Sequence, residues 1–243
     1  SRGMESFDIL AVGAHPDDVE LVMGGTVARE AAGGRRVAIL DLTRGESGSR
    51  GTPETRIEEA RAAAEVLGVA HRESLSLPDA RLEAVPEQRD VVLEVVRRLR
   101  PRVVLTQHWE QRHPDHAATS RLVYEACFFA GLRNYDERLG PPWRPGKLAY
   151  ALTMTEVTEV KPSFVVDITP VWETKLRSIA AYASQWTPPP GETEKLPLDL
   201  FRERVELAGR RHGERIGVQY GEGFVTREPL VVDDLLSLGG GSL

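Results

Sequence analysis

The stretch FDILAVGAHPDDVELVMGGT, residues 7–26, decides how the chain folds. Residues 7–14 form an apolar run, the pattern of a strand covered on both faces. From about Val19 the spacing predicts a helix that ends at Gly33 and Gly34, where glycine suits a helix C-terminus. Between the two lies a polar cluster, Ala14-His15-Pro16-Asp17-Asp18. A polar cluster directly after a buried strand marks the carboxyl edge of an α/β sheet, where ligands bind.

Outward from this unit the alternation continues. RVAILDLT reads as a second strand, RGESGSRGTP as a glycine- and serine-rich loop, and residues 54–67 as a helix stopped by Gly68. ESLSLPD reads as a short strand ending in a turn, PEQRDVVLEVVRRLR as an amphipathic helix with proline near its start, and RVVLTQ as another buried strand. A loop carrying HPDH and the helix SRLVYEACFFAGL follow. KLAYALT and SFVVDIT predict strands, PVWETKLRSIAAYASQ a helix, TPPPGETEKLPL an interruption, and residues 200 to about 215 a last helix. This order implies an α/β, Rossmann-like, mainly parallel sheet with helices on both faces. A C-terminal α/β extension is expected to border the site. One domain over residues 4–238 is expected, with Ser1, Arg2 and Gly3 read as an expression scar and 239–243 as a flexible tail.

Composition narrows the function. The 243 residues suffice for one sizeable core. A net charge of −6 argues against a broad nucleic-acid footprint. Arg97, Arg98 and Arg100 near Glu94 read as a solvated helix face. A single cysteine, Cys127, excludes an internal disulfide and a four-cysteine zinc site, and its apolar neighbours predict burial. No apolar run is long enough to span a bilayer and no secretory leader precedes the first strand, so a cytoplasmic location without membrane contact is expected.

Chemistry concentrates in two clusters. After RVVLTQ comes Arg112-His113-Pro114-Asp115-His116, so two His-Pro-Asp motifs lie at strand ends on one edge of the predicted sheet. Together they supply enough histidines and acids for a catalytic metal with three protein ligands and an open position, a base, an acid and an orienting carboxylate. The bland alternative is that Asp17 and Asp115 are helix caps and turn formers.

These residues carry a family likeness. AHPDDVELVMGGT and RHPDH resemble the two signature motifs of the PIG-L / LmbE-like zinc-dependent de-N-acetylases. The likeness continues through DLTRGESGSRGTPETRIEEARAAAEVLG, SLPDARL, FVVDIT, AYASQW and GVQYGEGF. The branch it resembles most is that of the bacillithiol-pathway deacetylases, which act on N-acetylglucosaminyl-malate. The resemblance implies His15, Asp18 and His116 as ligands of zinc, with ferrous iron as the alternative ion. It implies Asp17 as general base and His113 as acid and oxyanion stabiliser, with Asp115 hydrogen-bonded behind His113. It also implies Arg56 on the sugar or its acidic aglycone and Glu46 and Asp79 on sugar hydroxyls. By position alone, Arg56 equally fits a helix surface. Relatives of this kind are often hexamers, so a homo-oligomer is expected.

Other residues have plainer readings. His108 is the nearest competitor of His113, Gln111 stands where some relatives carry tyrosine, and His71 and His212 read as surface and structural residues. A mycothiol-like conjugate is the related substrate alternative. Two histidines and a carboxylate also make the facial triad of non-haem iron oxygenases, which leaves Asp17 and His113 without a role. A non-catalytic sugar-binding protein would be expected to lack part of the catalytic set. The glycines at 13, 24 and 25 do not form the turn that a dinucleotide needs.

Overall fold

The computed structural model describes residues 6–154, 159–187, 191 and 198–239. Seven strands form one sheet: β1 (Ile9–Gly13), β2 (Val37–Asp41), β3 (His71–Ser74), β4 (Val103–Gln107), β5 (Lys147–Ala151), β6 (Phe164–Asp167) and β7 (Gly221–Val225). Their spatial order is β3-β2-β1-β4-β5-β7-β6. The first five are parallel, and β7 runs antiparallel to both β5 and β6. The mainly parallel Rossmann-like sheet is therefore as expected, with an antiparallel extension at one edge.

Strand alternation builds two cores. Leu10, Val12, Ala38, Leu40 and Val104 face one side, where they meet α3 (Pro86–Leu99) and α4 (Pro114–Ala130). Ile9, Ala11, Val37, Ile39 and Leu105 face the other, with Val19, Met23 and Val27 of α1 (Asp18–Ala32) and Leu67 of α2 (Pro53–Leu67). Period-2 alternation on both faces explains why these strands read as continuous apolar runs. Residue pairs from Ile9↔Val103 to Val12↔Thr106 set β1 beside β4, while β2 lies on the other side of β1. The chain order thus reverses between β1 and β4, which is where an open sheet forms its binding crevice.

Several sequence expectations shift. The third strand lies at His71–Ser74, earlier than ESLSLPD, because His71 registers with Ala38 of β2. His71 is accordingly half-buried rather than on the surface. The second motif is not a loop ahead of a helix: His113 caps α4, and Pro114, Asp115 and His116 form its first turn. The long helix expected after β6 is α5 (Trp172–Ala180) and a short α6 (Ala183–Trp186), separated at Ala181 and Tyr182. The last helix, α7, spans Leu198–Glu214. β7 has no counterpart in the strand reading, because GEGFV carries two glycines.

Arg97 is not solvated. It is 1% exposed and donates to the carbonyls of Ala130, Leu132, Asp136 and Gly140 at 2.9–3.1 Å. Four carbonyl acceptors offset the cost of burying the guanidinium. Cys127 is buried as expected, and burial pushes its thiol up to about 12. The proline-rich interruption falls largely at 188–190 and 192–197, and it lies outside the described residues with 1–3 and 240–243.

Candidate active site

The two motifs meet because β1 and β4 are neighbours. Gln107, the last residue of β4, accepts a hydrogen bond from Ala14 N at 3.1 Å and ties the two strand ends together. Gly13 keeps this approach close: a side chain would begin 3.0 Å from Asp18 Cβ. The chain then turns through His15 and Pro16 into α1.

Asp18 stands between two imidazoles. Its carboxylate lies 3.1 Å from His15 Nδ1 and 3.2 Å from His116 Nε2, and it accepts from His15 N at 2.8 Å. One donor atom from each of His15, Asp18 and His116 falls within 4.8 Å of the others. His15, His113 and Asp115 form a second such set. In that set the Asp115 carboxylate already accepts from Ala80 N at 2.8 Å and Leu82 N at 3.3 Å, so its lone pairs serve the fold. The Asp18 set is the better candidate metal site on donor chemistry.

Behind His15 stand two further carboxylates. Its Nε2 lies 3.0 Å from Asp79 Oδ1 and 3.1 Å from Asp115 Oδ2. A histidine whose far nitrogen contacts a carboxylate has the arrangement that fixes a ligand's tautomer and orientation. Burial would lower the His15 pKa, but Asp18 and Asp79 outweigh it and push it up to about 10. Burial opposes ionisation of Asp18, yet His116 and His15 hold its carboxyl well below the usual range.

Asp17 is placed differently from its neighbour. It is the residue before α1, with φ 105° and no side-chain capping bond, so the helix-cap reading fails. Its carboxylate instead meets Arg56 Nη2 at 3.1 Å. Burial raises its pKa, Arg56 holds the rise back and Asp18 adds to it, leaving it at about 7. An acid poised there suits proton transfer near neutrality.

Arg56, expected on the sugar or its acidic aglycone, lies against the first motif. It is 5% exposed, and the same Nη2 that meets Asp17 also donates to the Pro16 carbonyl. The loop crosses so close above it that a side chain at Gly45, where φ is 67°, would begin on the guanidinium. Arg56 is a buried anchor of the first motif.

Asp115 also departs from expectation. Its carboxylate serves His15, Ala80 and Leu82, while His113 Nδ1 accepts from Asp115 N at 3.1 Å. The hydrogen bond assigned to that side chain belongs to its backbone, because His113 caps the helix Asp115 begins. A neutral His113 then carries its proton on Nε2. Its ring stacks on His116 at 4.7 Å and meets the edge of His15 at 4.9 Å. Burial, His116 and His15 lower its pKa, which keeps it neutral.

Glu46 is exposed, and it accepts from Asp79 N at 2.8 Å. Asp79 accepts from Ser47 N at 2.8 Å, so the two acids join the loops that flank the crevice. His108 is 2% exposed and stacks on Trp109 at 4.0 Å, and burial lowers its pKa. Gln111 is half-buried.

Sequence reasoning missed a buried network below the site. Arg72 binds Asp41 bidentately at 2.9 Å and 2.9 Å and also meets Glu20. Tyr182 Oη donates to Glu20 at 3.1 Å. Glu20 lies in the first turn of α1, two residues after Asp18, so the network holds the base of the site. Its only sequence signal is an acid, Glu20, inside an apolar helix start.

Fold and site together define an α/β protein with a two-histidine, one-carboxylate centre at the switch point of its sheet. The PIG-L family, described as GlcNAc-PI de-N-acetylase, matches residues 10–127, from β1 through both motifs into α4. The diacetylchitobiose deacetylase of Thermococcus kodakarensis is 30% identical over 235 residues, covering 89% of this chain and 81% of that one. The chain belongs to the PIG-L / LmbE-like de-N-acetylase family. A conserved protein of Thermus thermophilus superposes with a TM-score of 0.81 at 40% identity, covering 93% and 97% of the two chains. The 4-carboxy-2-hydroxymuconate hydratase of Pseudomonas putida superposes at 0.78 with 25% identity, covering 96% and 100%. One fold thus hosts more than one reaction, and the side chains must decide between them.

Proposed function

We propose that this chain is a metal-dependent N-deacetylase that releases acetate from an N-acetylglucosamine conjugate. The observation that carries the reading is the pairing of the His15–Asp18–His116 cluster with Asp17, a neighbouring acid at about 7 that is not needed as a ligand. The family and the deacetylase relative support the same reaction.

His15, Asp18 and His116 fit zinc, which takes three nitrogen or oxygen ligands and keeps a position open. Ferrous iron accepts the same donors. When bound, such an ion polarises the acetamide oxygen and acidifies water. Asp17 removes a proton from the attacking water. His113 Nε2–H donates to the oxygen that gains charge as the carbonyl carbon becomes tetrahedral. The C–N bond then breaks, and the proton held by Asp17 passes to the leaving nitrogen. Acetate and a free amino sugar result. Asp79 and Asp115 keep the His15 ring in place, and Arg56 keeps the Asp17 carboxylate beside it.

For the conjugate we propose N-acetylglucosaminyl-malate, on the likeness to the bacillithiol-pathway deacetylases. The test is acetate release by metal-analysed protein from N-acetylglucosaminyl-malate, N-acetylglucosaminyl-inositol and diacetylchitobiose. We expect the malyl conjugate to be turned over fastest. A preference for either of the others overturns the malate assignment, and no acetate from any of the three overturns the deacetylase reading.

A further inference from the structure

The segment AYASQW, residues 181–186, spans the junction of α5 and α6, and its polar side chains reach other parts of the fold. Tyr182 meets Glu20 below the site. Ser184 donates twice to Glu59 of α2, from N at 2.7 Å and from Oγ at 2.8 Å. Gln185 and Arg50 pair reciprocally. Gln185 Nε2 donates to the Arg50 carbonyl at 3.0 Å, and Arg50 Nη1 donates to the Gln185 carbonyl at 2.6 Å. Ser184 Oγ also accepts from Gln185 Nε2 at 3.2 Å, which joins the two contacts into one latch.

What the latch holds is the loop over Arg56. Gly45, Gly48 and Gly51 recur at every third position of RGESGSRG, residues 44–51, and all three lie against this one side chain. A side chain at Gly45 would begin on the guanidinium, and one at Gly48 would begin 3.4 Å from Nη1. One at Gly51 would begin 3.5 Å from Arg56 Cγ and 2.6 Å from Ser184 Oγ. Gly51 is therefore where the loop, Arg56 and the AYASQW segment meet. The other end of the loop is tied separately, by Glu46 and Ser47 to Asp79.

Arg56 depends on this wrapping. Both of its hydrogen bonds to the first motif leave from Nη2, and its Nε is buried without an acceptor among the described residues. One nitrogen fixes the tip of a guanidinium but not its plane, so the loop backbone supplies the remaining constraint. Glu59 follows Arg56 by one turn on the same face of α2, which sets the latch beside the arginine it steadies.

We propose that Ser184 and Gln185 are positioning residues for Asp17. With Glu59 they close residues 45–52 over Arg56 and so keep its guanidinium on the Asp17 carboxylate. Neither touches the reacting atoms, and the role rests on the reading of Asp17 as the general base. The C-terminal extension thereby sets the geometry of the first motif.

The test combines hydrogen exchange of residues 45–52 with metal content, kcat and KM on the same preparations. The substrate is the conjugate that wild type turns over fastest. In Gln185→Ala and Glu59→Ala, loop exchange should quicken and kcat should fall roughly ten- to hundred-fold, while KM and metal content hold. Glu59→Gln keeps an acceptor for Ser184 and should recover part of the loss, and this pair reads the same latch if Gln185→Ala does not fold. In an Arg56→Met background, Gln185→Ala should leave kcat where Arg56→Met alone puts it, because the two act as one unit. Unchanged loop exchange, an unchanged kcat, or an equal further fall of kcat in the Arg56→Met background each overturns the proposal. The last is the mark of a merely structural role. An inactive wild type overturns the deacetylase reading and this role with it, whereas an active wild type with any of those three results overturns this role alone.

Discussion

His15 Nε2 lies 3.1 Å from the Asp115 carboxylate, so the first motif is oriented by a side chain of the second, 100 residues away. Asp79 approaches the same nitrogen at 3.0 Å from a third segment. The ring is therefore set by the tertiary fold before any ion arrives.

Asp79→Asn and Asp115→Asn should each weaken metal retention by roughly 10–100-fold, the usual cost of removing an orienting partner. Competition against a chromogenic chelator reads this directly. If Asp79 only bound sugar hydroxyls, KM would rise and metal affinity would stay unchanged.

Asp17→Asn should lower kcat by roughly 10²–10⁴-fold, the range of general catalysis, with metal content preserved. Turnover and metal stoichiometry are measured on the same preparation. Full activity in the variant would remove Asp17 from the mechanism.

The metal-free protein should lose stability as pH rises from about 6.5 to 10. The His15 pKa is raised from 6.5 to about 10, so in that window the folded state holds a proton that the unfolded state has released. Stability from this group is complete below the lower value and gone above the upper. A bound ion must displace that proton, so stabilisation by added zinc should grow across the same window. Thermal melts at stepped pH, with and without zinc, check both slopes, and His15→Gln should flatten them.

Arg56→Met should move the acidic limb of the kcat/KM profile to higher pH, because the arginine lowers the pKa of Asp17. Arg56→Lys should recover part of the shift. A rise in KM with an unmoved profile would instead return Arg56 to the aglycone.

Lys175→Met should destabilise the fold by about 3–5 kcal/mol, the cost of leaving a buried charge without its partner. Lys175 meets Glu222 at 2.5 Å, and Glu222 also accepts from the Gly25 and Thr26 backbone of α1. Urea denaturation of wild type and variant gives the difference.

Most of the parallel sheet was legible because strands buried on both faces cannot alternate, and runs such as VAILD and VVLTQ state their burial outright. The site's residues were legible as two motifs at strand ends, since proline and aspartate punctuate the chain there. Their pairings were not. Whether Asp115 serves His113 or His15 depends on how α4 begins, and a cap one residue earlier or later changes the partner. Arg97 read as a surface residue, and Arg56 by position alone fitted a helix surface as well as a ligand, because a buried guanidinium is betrayed only by carbonyls and acids that distant segments bring to it. β7 was invisible because its glycines carry no pattern, and pairing with β5 and β6 alone makes it a strand.

Asp17 holds a backbone conformation, φ 105°, that glycine adopts without penalty and aspartate rarely does. Such strain costs on the order of 1–3 kcal/mol. Glycine at position 17 would relieve that strain but leave the buried Arg56 guanidinium without its carboxylate, so the proton acceptor is kept in a costly backbone conformation by the ion pair it makes.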